Sequence, residues 1–256
     1  MTTPAELLRT AARPDPSRPF LTFYDDATGE RVELSFTTLD NWVAKTANMI
    51  VEDLGARPGD RVALLLPNHW QSVVWYLACW TAGVVAAPGA DPAESDHVVT
   101  DPDGVEQAAS CRGERVLVPM RPFGAPAVDL PAGFYDYAAE VPAYGDQFAP
   151  WGPVTDDLTA LERSQGSATG GELVAAARAA AESWGLTARD RVLVTADLGT
   201  PDGLMAGLLA PLAVGASVVL CRNPDAAALP RRVETERVTR SLPDVADAAS
   251  PGDPVS

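Results

Sequence analysis

The chain has 256 residues, 46% of them hydrophobic, enough for one large domain or two small ones around a substantial core. Its formal net charge of −16 repels phosphate backbones and acidic lipid surfaces, which excludes nucleic acid and a charged membrane face as partners. Cys79, Cys111 and Cys221 form no CxxC pair, and residues 1–19 hold no apolar signal core, so a reducing, cytoplasmic location is expected.

Phe20–Tyr24 and Arg31–Ser35 flank the turn-rich Asp25–Gly29 and predict a hairpin. Leu39, Trp42, Val43, Thr46, Met49, Ile50 and Leu54 recur at helical spacing and predict an amphipathic helix, with Gly55 at the position after its C-cap. Asp60-Arg61-Val62 opens a strand. The uncharged run Trp70–Ala90 is interrupted at Gly83 and turns β-branched, which fits a buried helix followed by a buried strand better than a membrane span. Arg115–Val118 is a further strand, and residues 119–157 form an irregular connection with a short helix near Tyr135–Glu140.

The first pattern then echoes. Leu173, Val174, Ala177, Ala181 and Trp184 predict a second amphipathic helix closed by Gly185. Gly185–Val194 matches Gly55–Leu64, and Val214-Gly215 matches Ala82-Gly83 ahead of a second β-branched strand. Each copy runs helix, strand, helix, glycine, strand, so the fold class is α/β with two related βαβ-type halves and mainly parallel sheets. The halves are residues 1–118 and 158–240; the Pro-, Asp- and Ala-rich tail, 241–256, is expected to be disordered.

At the start of the second half, residues 158–181 read LTALERSQGSATGGELVAAARAAA, a Gly/Ser/Thr-rich stretch running into a helix. A helix start offers free N–H groups and a positive dipole end to an anion. A loop that handles ATP usually adds a lysine. This one has none, and Lys45 is the only lysine of the chain.

Leu34–Leu39, Gly59–Asn68, Leu77–Pro88, Leu173–Leu193 and Gly203–Leu220, in this order and spacing, resemble segments of the adenylate-forming enzymes, the AMP-dependent synthetase and ligase superfamily that includes acyl-CoA synthetases. Leu34–Leu39 is similar to their LTYxEL opening, Gly59–Asn68 to GDRVAILLPN, and Leu77–Pro88 to LAVLKAGAVYVPL. Gly203–Leu220 is similar to a segment ending in PLAAGASVVL. The resemblance covers roughly residues 15–240 and implies the N-terminal fold of that superfamily, in a short actinobacterial branch. In the superfamily, ATP and a carboxylate give an acyl-adenylate and pyrophosphate, and a TSGTTGxPKG loop wraps the departing phosphates. Here its counterpart is Ser164, Gly166, Ser167, Thr169, Gly170 and Gly171, which the resemblance assigns as a degenerate phosphate loop without the PKG element. The resemblance also implies a chain about half the usual length, stopping before the acyl pocket, the adenine- and ribose-binding segments and the C-terminal lysine.

Each signal also has a structural account. Thr169-Gly-Gly-Glu172 fits a capping box, whose carboxylate would compete with a phosphate at the helix start. His69 and His97 lack partners at metal-ligand spacing, and Asp101-Pro-Asp103-Gly104 reads as a turn. Trp70, Trp75, Trp80 and Trp184 read as core, and Arg61 and Arg191 as residues of strand entry. No Gly-x-Ser-x-Gly elbow supports a serine hydrolase.

The expectation is therefore a catalytically degenerate adenylate-forming-like protein, no enzyme by itself, that binds a nucleotide such as ATP or AMP, an acyl ligand or small carboxylate, or a partner protein. The alternatives are an active acyl-adenylating enzyme completed by another chain, or by a second copy, covering the missing half, and a non-catalytic scaffold.

Overall fold

A computed structural model describes residues 2–121 and 124–242. Helix α1 (Pro4–Ala12) starts at a capping box, in which the Thr3 hydroxyl accepts from the Glu6 N–H and the Glu6 carboxylate accepts from the Thr3 N–H. The hairpin β1 (Pro19–Asp25) and β2 (Glu30–Ser35) follows as predicted, with Gly29 at φ +75° in its turn. Then come α2 (Phe36–Glu52), β3 (Arg61–Leu65), α3 (Trp70–Ala82), β4 (Val85–Pro88) and β5 (His97–Thr100).

Asp101 caps a 3₁₀ turn before the single-turn helix α4 (Val105–Ala108), so the Asp101–Gly104 motif is a turn. Strand β6 (Arg115–Leu117), the two-residue β7 (Tyr135–Asp136) and the single turn α5 (Tyr137–Glu140) lead to β8 (Thr159–Arg163) and β9 (Gly166–Thr169). The second repeat is α6 (Gly170–Ser183), β10 (Arg191–Val194), α7 (Pro201–Leu204), a π-helical turn (Met205–Leu209), α8 (Ala210–Val214) and β11 (Ser217–Arg222). Helix α9 (Leu229–Thr235) and β12 (Arg240–Leu242) close the described chain. Ser241 and Leu242, placed in the tail by the sequence, thus pair in a strand, and residues 243–256 lie outside the described residues.

The repeat is visible in detail. Asp60 accepts from the Arg57 N–H at 2.7 Å, and Asp190 accepts from the Thr187 N–H at 2.7 Å, so the same side-chain turn launches β3 and β10. Gly55 and Gly185 follow their helices at φ +63° and +62°, and Gly83 and Gly215 at +79° and +76°, a left-handed backbone that only glycine adopts without steric cost. Pro211 lacks an N–H, and its ring would meet the carbonyl four residues back, at Gly207. The wider π turn over Met205–Leu209 immediately precedes it and loosens the helix at that point.

The strands form two sheets, ordered β12-β10-β11-β1-β2 and β7-β6-β5-β3-β4-β8-β9. Every pairing is parallel except within the hairpins β1–β2 and β8–β9. The hairpins are exchanged between the repeats. Hairpin β1–β2 precedes the first repeat but pairs with β11 of the second, and β8–β9 precedes the second but joins β4 of the first. One core cluster therefore runs through both halves, from Phe20, Phe23 and Leu39 to Leu204 and Val218.

All of α3 is buried, with Trp75 and Trp80 among the largest side chains of the core. Each such side chain contributes about 1.5–3 kcal/mol by leaving water. Trp184 is half-buried and packs at its margin. Among the described residues, no helix is long and apolar enough to cross a membrane.

Candidate functional site: the β8–β9 hairpin and the cleft beside it

The stretch that reads as a phosphate loop is a tight hairpin. β8 and β9 pair antiparallel from Thr159↔Thr169 to Arg163↔Gly166, leaving only Ser164 and Gln165 to connect them. A two-residue connection offers no concavity in which to wrap a phosphate chain. Sequence reasoning missed this hairpin because Thr-Ala-Leu-Glu-Arg and Gly-Ser-Ala-Thr carry weak strand signals. The internal repeat held the missing clue, since the first copy is also preceded by a hairpin and a helix.

The head of α6 is closed as well. The Thr169 N–H donates to Glu172 Oε2 at 2.8 Å, and the Glu172 N–H donates to Thr169 Oγ1 at 3.2 Å, the capping box expected from the sequence. The Gly170 N–H donates to the Leu158 carbonyl at 3.0 Å and the Gly171 N–H to the Asp156 carbonyl at 2.7 Å. Every amide from Thr169 to Glu172 thus has a protein acceptor. The hydrogen bonds from Thr169 hold the Glu172 carboxyl below its usual pKa, keeping a negative charge at the positive end of the helix.

The glycine pair has a packing role. A Cβ on Gly171 would lie 3.2 Å from the Asp156 carbonyl oxygen, and one on Gly170 would lie 3.3 Å from Cδ of Pro4. Chain segment 156–158 and α1 press against the helix start, and only small residues fit there.

The six predicted residues accordingly part company. Ser164 sits in the exposed turn; Gly166 and Ser167 are exposed on β9; Thr169, Gly170 and Gly171 form the helix cap. Lys45 is elsewhere, its ammonium donating to the carbonyls of Pro142, at 3.2 Å, and Tyr144.

The sequence reading missed Arg163. It is half-buried at the C-terminal end of β8, where Nε donates to the Gly199 carbonyl at 3.2 Å and Nη2 to the Thr200 carbonyl at 3.3 Å. Burial lowers its pKa, and neighbouring Tyr76 acts in the opposite sense. Arg163, Gln165 and Pro201 line two adjoining cavities. One, of about 280 Å³, is walled by Leu161, Leu173, Leu204, Met205 and Leu209 and is largely apolar. The other, of about 410 Å³, is polar, with Arg61, Asp91, Glu94, Ser164 and Thr200. Together they form a cleft at the carboxyl ends of β4 and β8 and beyond β10, where open α/β sheets place ligands.

The loop between β10 and α7 forms one wall and is firmly held. Asn68 Nδ2 donates to the Ala196 carbonyl at 2.8 Å, and Asn68 Oδ1 accepts from the Leu198 N–H at 2.7 Å. The Tyr76 hydroxyl donates to the Leu198 carbonyl at 3.2 Å. His69, next to Asn68, is buried; its Nδ1 accepts from the Gln71 N–H at 3.3 Å and its Nε2 lies 3.5 Å from Glu30. It caps α3 and has no place in the cleft.

Residues 8–100 match the family described as AMP-binding enzyme. A "TIGR03089 family protein" of Mycobacterium tuberculosis is 43% identical over 254 residues, spanning 94% of this chain and 100% of its own length. A feruloyl-CoA synthase of an Amycolatopsis species is 31% identical over 80% of this chain, which spans only 42% of that enzyme. A benzoate CoA ligase from Burkholderia xenovorans superimposes with a TM-score of 0.74 at 21% identity, and a Brucella canis acyl-CoA synthetase with 0.75 at 23%. Both superpositions cover 94% of this chain and about half of the ligase, 50% and 47%. Together these matches place the chain in the TIGR03089 family, built on the N-terminal fold of the adenylate-forming enzymes.

Proposed function

We propose that the protein is a non-catalytic, adenylate-forming-like binding protein, which holds a small carboxylate or acyl compound in the Arg163 cleft without activating it with ATP. The observation that carries this reading is the closed head of α6: the amides of residues 169–172 are already engaged, and the hairpin beside them turns in two residues. A triphosphate meets no free N–H there, and Glu172 repels it. The cleft supports the ligand class. Arg163 supplies a guanidinium suited to a carboxylate, and the apolar lobe between β8, α6 and the π turn suits an aliphatic or aromatic body. The CoA ligases that share the family's fold act on carboxylates of that kind by their printed names, feruloyl and benzoate.

Two assays test it. Purified chain incubated with ATP, Mg²⁺ and a panel of carboxylates catalyses no ATP–pyrophosphate exchange, and millimolar ATP leaves its melting temperature unchanged. Calorimetric titration with benzoate, ferulate and octanoate finds at least one ligand whose affinity drops about tenfold in Arg163→Gln. Pyrophosphate exchange by the chain alone overturns the reading, and so does carboxylate binding indifferent to Arg163→Gln.

A further inference from the structure

A further cavity, of about 500 Å³, opens at the amino-terminal ends of the central strands of the five-stranded sheet, where β1, β10 and β11 begin. Three helices frame it. Leu7 and Ala11 of α1 and Leu212 and Val214 of α8 make an apolar floor, and Arg178 projects from α6 at the rim. Its size is that of a site for a small organic molecule.

Its charge runs against that of the chain. Two guanidiniums, Arg18 and Arg178, line it against one carboxylate, Asp15, in a protein of net charge −16. Asp15 is solvated and already accepts from the backbone and hydroxyl of Ser17 at 3.1 and 2.7 Å. Arg18 is fixed from both sides: Nη1 donates to the Ala188 carbonyl at 2.8 Å, Nη2 to the Gly215 carbonyl, and the guanidinium carbon lies 5.4 Å from the Phe36 ring centroid. These bonds engage the Gly215 carbonyl at the end of α8 and the Ala188 carbonyl ahead of β10, and they hold the guanidinium charge in the cavity wall. Arg178 is exposed. The arginines that pair with acids among the described residues are Arg31, Arg61, Arg191, Arg232 and Arg240. Arg178 is not one of them, although acidic residues outnumber basic ones by 35 to 19.

We infer that this cavity is a binding site for a small organic anion with an apolar body. The apolar part lies on α1 and α8, and the anionic head meets the Arg178 guanidinium, with Arg18 as a fixed positive background. The site is separate from the Arg163 cleft and does not depend on the function proposed for it.

Naphthalene-2-sulfonate, an anion that no acyl-adenylating step can use, serves as the probe in calorimetric titration of the full chain. One molecule binds per chain, and affinity falls about tenfold or more in Arg178→Ala and further in Arg178→Glu. Binding also disappears in Ala213→Trp, which fills the cavity from its half-buried wall, while that variant keeps the wild-type circular dichroism spectrum. The cation 2-naphthylmethylamine binds at least about tenfold more weakly than the sulfonate. Arg163→Gln leaves sulfonate binding intact. The inference is overturned if Arg178→Ala binds like wild type, if the cation binds as tightly as the anion, or if Arg163→Gln alone abolishes binding.

Discussion

Asn68 holds the cleft wall in place, so replacing it with alanine measures how much that wall depends on one side chain. The side chain makes two hydrogen bonds across 128 and 130 residues of sequence, to the Ala196 carbonyl and the Leu198 N–H. The Ala196 carbonyl is only partly buried and can recruit water when Asn68 is removed, a loss of about 0.5–1 kcal/mol. The Leu198 N–H is fully buried, and orphaning it costs about 1–3 kcal/mol. The sum, about 1.5–4 kcal/mol, corresponds to a drop of roughly 3–16 °C in melting temperature for a chain of this size. Urea unfolding checks it, the midpoint falling at constant slope.

The loop is shared with Tyr76, whose hydroxyl donates to the Leu198 carbonyl. Asn68→Ala and Tyr76→Phe therefore combine non-additively in a double-mutant cycle. A loss below about 0.5 kcal/mol in Asn68→Ala, or strict additivity with Tyr76→Phe, refutes the claim that these side chains clasp one rigid loop.

Two further predictions concern the helix caps. Thr169→Ala removes the acceptor for the Glu172 N–H and lowers stability by about 1 kcal/mol in urea unfolding, whereas Thr169→Ser stays within a few tenths; equal behaviour of the two variants contradicts the capping box. Burial depresses the His69 pKa below its ordinary 6.5, with Glu30 the strongest opposing influence. Below pH 6.5 the unfolded chain therefore takes up a proton that folded His69 resists, and stability falls as pH drops through the folded value. The imidazole resonance of His69 titrates below 6.5, and His69→Gln flattens the acid limb of the stability curve; titration at or above 6.5 refutes the assignment.

The amphipathic helices α2 and α6, the buried helix α3 and most strands were legible because local rules govern them, whereas α1 and α9 were not read. The apolar spacing of Leu39–Leu54 and Leu173–Trp184, and the glycines that close those helices, fix elements whose periodicity needs no distant partner. The capping box of Thr169 and Glu172 was legible for the same reason, since its parts lie three residues apart. The exchange of hairpins between the repeats was not legible, because either hairpin could pair with either repeat by its own pattern. Nor was the closure of the helix head, which needs the carbonyls of Asp156 and Leu158 folded back over Gly171 and Gly170.

By itself the amino-acid sequence determined an α/β chain of two βαβ-type repeats and a would-be phosphate loop without lysine. Only the tertiary structure decided that this loop is a hairpin, that its helix offers no free amide, and that an arginine rather than a lysine enters the cleft. The reason is range. Periodicity and caps act within a few residues, whereas Arg163 finds Gly199 and Thr200 across 36 and 37 residues, and only the packed sheets bring them together.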